Sequence, residues 1–157
     1  MFKLSGNIKF DPINVTKKHN KQSSWKKTAI IEFNNDDIYK YYAWFIKKRF
    51  NISLNKPLRG THVTIINEIV DDDVYLNAKN IFDRKDITIE YDPTIIEANR
   101  KGHWWIKAYC DDIKNIRKYM GLNPDPFFKL HLTIGLATHL QLEHSNYILD
   151  QCLKFNI

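Results

Sequence analysis

The sequence predicts an α+β fold built from two similar halves, and three observations carry that expectation. First, two histidine-x-threonine triplets, His62-Val63-Thr64 and His131-Leu132-Thr133, each lie in a strand-like run and are each followed by isoleucine. Second, each run is preceded by two strand-like segments and one amphipathic helical segment, so the order strand, strand, helix, strand occurs twice. Third, the strand-like segments alternate apolar and polar residues, the pattern of antiparallel strands with one buried face.

Taken in order, GNIKF at 6–10 reads as the first strand. The polar, basic run TKKHNKQS at 16–23 reads as a loop with His19 solvated in it. A second strand covers 24–33. Asp36 or Asp37 can cap a helix over 37–50 in which Ile38, Tyr41, Tyr42 and Phe45 form one apolar stripe. Lys47, Lys48 and Arg49 load the C-terminal end of that helix, as its dipole favours. Trp25 and Trp44 are expected in the core. The first histidine strand follows at about 61–69. Residues 71–83 admit either a short helix starting in the acidic run Asp71 to Asp73 or a loop.

DITIEYD at 86–92 and HWWIKAY at 103–109 alternate like strands. In the second of these, Trp104, Ile106 and Ala108 should face the core, with His103, Trp105, Lys107 and Tyr109 on the other side. A helix over about 111–120 aligns Ile113, Ile116 and Met120 and stops at Gly121. NPDP at 123–126 is a turn. In KLHLTIG, Leu130, Leu132 and Ile134 point one way, His131 and Thr133 the other, and Gly135 leaves space beside them. A last helix is expected over about 140–154, with His139 and His144 as surface residues.

The chain has 157 residues, 43% hydrophobic and 13% aromatic, which suits one packed domain over 1–157 made of two lobes. The formal net charge of +6 favours encounter with polyanions. No run approaches the ~18 apolar residues of a membrane span, and the N-terminus lacks the pattern of a signal peptide. No membrane partner is therefore expected, and a cytoplasmic location is. Cys110 and Cys152 have no CxxC spacing, so a zinc site is not expected, and the two-histidine chemistry set out below needs no cofactor.

Two histidines sharing one groove suit phosphoester cleavage. A neutral imidazole takes the proton of the attacking oxygen and a protonated one supplies the leaving oxygen. At His-x-Thr spacing both side chains of a pair point the same way, about 7 Å apart along the strand. The threonine hydroxyls can then donate to the non-bridging phosphate oxygens. His62, Thr64, His131 and Thr133 are accordingly the candidate catalytic residues. Lys129 and Arg59 are candidate phosphate contacts, and Trp105 and Tyr109 are candidate stacking surfaces for bases.

These two triplets resemble the paired motifs of the two-histidine (2H) phosphoesterase superfamily, and the chain is most similar to its phage anti-CBASS phosphodiesterases. The resemblance implies a bilobal pseudo-symmetric fold, with two antiparallel sheets flanked by helices around a central cleft. It implies metal-independent cleavage of the 3′–5′ bonds of cyclic di- and trinucleotide immune signals by 2′-hydroxyl attack, in the cytoplasm of the host cell. An RNA 2′,3′-cyclic phosphodiesterase acting on RNA ends, and a non-catalytic nucleotide-binding protein, are the alternatives. The base preferred, the role of each histidine and the oligomeric state are not implied.

Overall fold

The computed structural model describes residues 1–12 and 27–154. Seven strands are described: β1 (Phe2–Phe10), β2 (Lys27–Glu32), β3 (Leu54–Asn55), β4 (His62–Glu68), β5 (Asp86–Ala98), β6 (His103–Tyr109) and β7 (His131–Ala137). Four α-helices accompany them: α1 (Asp37–Phe50), α2 (Asp72–Phe82), α3 (Asp111–Tyr119) and α4 (Leu142–Lys154), the last entered through a short 3-10 turn at His139–Gln141. The loop expected at 16–23, His19 and Trp25 lie outside the described residues.

The fold differs from the two-sheet arrangement that the resemblance implies. The strands do not form two sheets around a cleft. They join into one antiparallel sheet in the order β3-β7-β4-β2-β1-β5-β6, and β6 pairs back onto β7. Six strands thereby close into a barrel, β1-β2-β4-β7-β6-β5, with β3 as a short addition beside β7. The closure has a physical basis in β7, which hydrogen-bonds to β6 along one edge and to β4 and then β3 along the other. An edge left open there would present unpaired backbone groups. The ring of pairings is unchanged when β1, β2 and β4 are exchanged with β5, β6 and β7.

Alternation divides the sheet into two faces. Ile8, Ile31, Val63, Ile89, Ile106 and Leu132 belong to the apolar face and are almost wholly buried. The helices pack against this face. Phe10 meets Tyr75 of α2 with ring centroids 5.2 Å apart, and Trp104 lies against Phe50 of α1 and donates to Ser145 Oγ of α4. The opposite face is polar and carries both histidine-x-threonine triplets.

Local signals explain most element ends. Asp71 caps α2 by accepting from the backbone of Asp73 and Val74, which makes the ambiguous segment a helix. Asp36 stands at the N-cap of α1 without a capping hydrogen bond, because its carboxylate is taken by Lys56. α3 closes in a Schellman motif, with Gly121 N–H donating to Lys118 and Leu122 N–H to Arg117. In α1 the buried residues are Tyr42 and Ile46, whereas Tyr41 is exposed. Trp44, expected in the core, is also exposed, at 57%, because it lies on the solvent side of the helix beside Tyr41. Among the described residues no helix is long and apolar enough to cross a membrane.

Candidate active site

The two triplets lie on neighbouring strands. In the β4–β7 ladder His62 stands opposite Thr133 and Val63 opposite Leu132. Continuing that antiparallel register by one residue sets Thr64 beside His131. The four side chains therefore occupy the corners of one rectangle on the polar face, with the histidines on a diagonal. With sides of about 7 Å along a strand and about 5 Å across, the diagonal between the histidine Cα atoms is about 8–9 Å. Imidazoles at that separation can reach one phosphate from two sides.

Each ring is held in the same way. His62 Nδ1 lies 2.7 Å from the Gly60 carbonyl and His131 Nδ1 lies 2.8 Å from the Lys129 carbonyl. A carbonyl oxygen only accepts, so Nδ1 is the donor in both rings, and Nε2 is the atom left for chemistry. Both rings are half-buried. Burial, chiefly, lowers the His62 pKa below the ordinary histidine value, and the positive charges of Arg59 and His131 lower it further. The Gly60 carbonyl opposes them by favouring the protonated ring.

The segments leading into the two strands are also alike. Pro57-Leu58-Arg59-Gly60-Thr61-His62-Val63-Thr64 and Pro126-Phe127-Phe128-Lys129-Leu130-His131-Leu132-Thr133 share proline at five residues before histidine and a large apolar residue after it. In both, the carbonyl two residues before histidine receives Nδ1–H. This longer repeat is legible in the sequence by aligning the triplets outward. In the first segment Gly60 N–H donates to the Pro57 carbonyl, forming a turn with Arg59 at its third position. Gly60 has φ +69°, a left-handed conformation that glycine adopts without strain.

Neighbouring strands extend the site. Trp105 is opposite Thr133, and its ring centroid lies 5.7 Å from that of His131, while its indole N–H donates to Glu97. Lys107 is opposite His131 and supplies a cation that the sequence reading placed on this face without assigning it a role. His103 adds a third imidazole on this face, its pKa lowered by burial, then by Lys101 and His131. Lys129 is exposed ahead of β7, and what it gives the site is its backbone carbonyl. Tyr109 stands at the far end of β6, over which Lys107 Nζ sits 5.4 Å from the ring centroid, and it lines a separate hollow with Glu90, Asp111 and Asp112. The structure thus brings His62, Thr64, His131, Thr133 and Trp105 together and leaves Tyr109 among acids.

Gly135 has a different reason from the one its sequence setting suggests. The space beside it is filled by β3: a Cβ there would stand 2.8 Å from the Asn55 carbonyl oxygen and 3.0 Å from Leu54 Cβ. Arg59, by contrast, is at the site's border. It is half-buried and lines a groove of about 500 Å³ on the β2 side of His62, with Lys9, Ile30, Glu32, Lys56 and Gly60. Among the described residues no three histidine, cysteine, aspartate or glutamate side chains group so as to hold a metal ion. Comparison of the chain with protein-family models, with curated proteins and with solved structures found no match.

Proposed function

We propose that this protein is a phosphodiesterase that opens the 3′–5′ bonds of cyclic di- and trinucleotides by attack of the adjacent ribose 2′-hydroxyl. The observation that carries the reading is the rectangle of His62, Thr64, His131 and Thr133, with both Nδ1 atoms tied to carbonyls and neither Nε2 bonded among the described residues. Binding alone would need neither the matched tautomers nor two proton-transfer groups.

In the proposed reaction His62 Nε2 takes the 2′-hydroxyl proton as the 2′-oxygen attacks phosphorus. His131, protonated at Nε2, gives its proton to the departing 5′-oxygen. The ring opens to a 2′,3′-cyclic phosphate and a 5′-hydroxyl. Water, activated by the now neutral His131, can then open the cyclic phosphate, and His62 returns its proton to the leaving ribose oxygen. His62 is given the base role because burial and Arg59 favour its neutral form. Thr64 and Thr133 donate to the non-bridging oxygens as charge grows there. Trp105 offers a face on which a base can stack. The net charge of +6 favours capture of an anionic ligand.

By resemblance of the motifs, the biological setting we propose is a phage protein that removes cyclic-nucleotide defence signals in the cytoplasm of its bacterial host. The test is incubation with a panel of cyclic di- and trinucleotides in EDTA, with products identified by mass spectrometry. A linear product ending in a phosphate or a 2′,3′-cyclic phosphate is expected. Cleavage confined to short RNAs with a cyclic phosphate end would move the assignment to RNA-end processing. Binding without turnover would make the chain a nucleotide-sequestering protein.

A further inference from the structure

We propose that Arg59 is the seat of a second phosphate group, one the site does not cleave, so that ligands carrying two phosphates are preferred to those carrying one. The inference rests on the phosphodiesterase reading for what occupies the rectangle, and on the groove itself for the rest.

The groove beside His62 contains three cations and two acids, and its internal pairing is uneven. Lys9 Nζ is 2.8 Å from Glu32, and Lys56 Nζ is 2.7 Å from Asp36, so each lysine has a carboxylate of its own. Among the described residues the Arg59 guanidinium forms no ion pair. It keeps a full positive charge in a half-buried position with both neighbouring acids already committed. Withdrawing such a charge from water is costly unless an anion meets it, and the planar guanidinium matches two phosphate oxygens at once. Burial without a compensating partner is also what lowers its pKa.

Its place in the repeat sharpens the point. The counterpart of Arg59 before the second triplet is Phe128, which is 75% exposed. The two histidines are held alike, but the two approaches differ in chemistry: one offers a cation at a groove, the other an aromatic ring. A ligand seated on the rectangle by one phosphate would therefore find a planar guanidinium only in the segment before His62, while the His131 side offers the single ammonium of Lys107. A cyclic dinucleotide carries a second phosphate to place on that guanidinium, whereas a nucleoside 2′,3′-cyclic monophosphate does not.

The test compares wild-type protein with Arg59→Gln and Arg59→Lys, each first checked for unchanged melting temperature without ligand. With a 3′,3′-linked cyclic dinucleotide, Arg59→Gln should raise KM at least tenfold and Arg59→Lys should recover part of that loss. With a nucleoside 2′,3′-cyclic monophosphate the same variants should change KM less than twofold at the pH optimum of each protein, any effect of the Arg59 charge on His62 appearing in kcat and its pH profile instead. Equal losses on both substrates, or no loss on either, would overturn the seat while leaving the catalytic reading intact. An arm independent of catalysis uses inorganic phosphate: it should raise the melting temperature of wild type more than that of Arg59→Gln, which keeps only the rectangle as an anion site. If that difference appears although no nucleotide is cleaved, the anion seat stands and the phosphodiesterase reading falls. If phosphate stabilises both proteins equally or neither, the seat is refuted.

Discussion

At the scale of single residues, the site depends on where two protons sit. Gly60 and Lys129 hold the Nδ1–H of His62 and His131, so both rings present the same nitrogen to a ligand. Replacing either histidine by alanine should lower turnover about 10²–10⁴-fold. Neither ring is fully buried, so the circular dichroism spectrum and melting temperature should stay close to wild type. Retained wild-type cleavage in either variant would remove that histidine from the mechanism. The pH dependence has a definite sign. In the proposed reaction His62 works as a base when neutral, and its lowered pKa would place the acid limb of kcat/KM below the ordinary histidine range. Removing the Arg59 charge lets that pKa rise, so the limb should move to higher pH in Arg59→Gln; kcat/KM measured from pH 4 to 8 on a cyclic dinucleotide reads the shift. A limb that stays or moves lower would show that the Arg59 charge does not reach His62.

At the scale of elements, β4 is tied to the rest of the molecule by a buried arginine. Arg117 of α3 is 1% exposed and makes a two-pronged ion pair with Glu68 at the end of β4, at 2.7 and 2.8 Å. It also donates to the Ile65 and Asn123 carbonyls, so one guanidinium joins α3, the histidine strand and the loop that leads to β7. Arg117→Met should cost about 2–3 kcal/mol in urea unfolding, since it leaves the Ile65 and Asn123 carbonyls without their donor, whereas Glu68, 38% exposed, can turn to water. Glu68 also links stability to pH. Its folded-state pKa is depressed, first by the hydrogen bond from Arg117, so the unfolded chain binds the proton more readily. The pair's contribution is thus present above the unfolded carboxyl value of about 4.3 and is lost as pH falls below it. The urea midpoint of wild type should drop more steeply from pH 5 to pH 3 than that of Glu68→Gln. On β7, Gly135→Ala should destabilise the fold by pushing β3 away, and should do so more than Gly60→Ala, which meets nothing within 4 Å and carries only the left-handed strain of its φ of +69°, about 1–2 kcal/mol. A comparison of the two melting temperatures checks it.

At the scale of the whole molecule, much of this could be read in the residues before any coordinates. Alternation in HVTII and HLTI placed histidine and threonine together because side-chain direction in a strand is a local property. Asp71, Gly121 and the stripe Ile113, Ile116, Met120 mark helix ends and faces for the same reason. Pairing partners are not local. Nothing in the two triplets says whether their strands oppose one another from separate sheets or lie edge to edge in one. That depends on which backbone edges meet across 69 residues, from 62 to 131. β3 is two residues long and leaves no pattern, and its contact with Gly135 is visible only once both are in place. The closed ring predicts its own signature in hydrogen exchange. Amides of β7 bonded to β6 and β4 should exchange only through global unfolding, with the same free energy as the interior of β4. Exchange of β7 at a lower free energy would mean that the barrel opens there by itself.

The closing strand is also the last of the seven to appear along the chain. As the polypeptide leaves the ribosome, β1, β2 and β4 can associate early, but the first histidine waits for its counterpart until residues 131–137 have emerged. Such distant pairing is slow relative to helix formation. Partly made or partly folded copies would therefore carry His62 without His131 and Thr133 beside it, and the proposed chemistry would become possible only in the event that completes the fold.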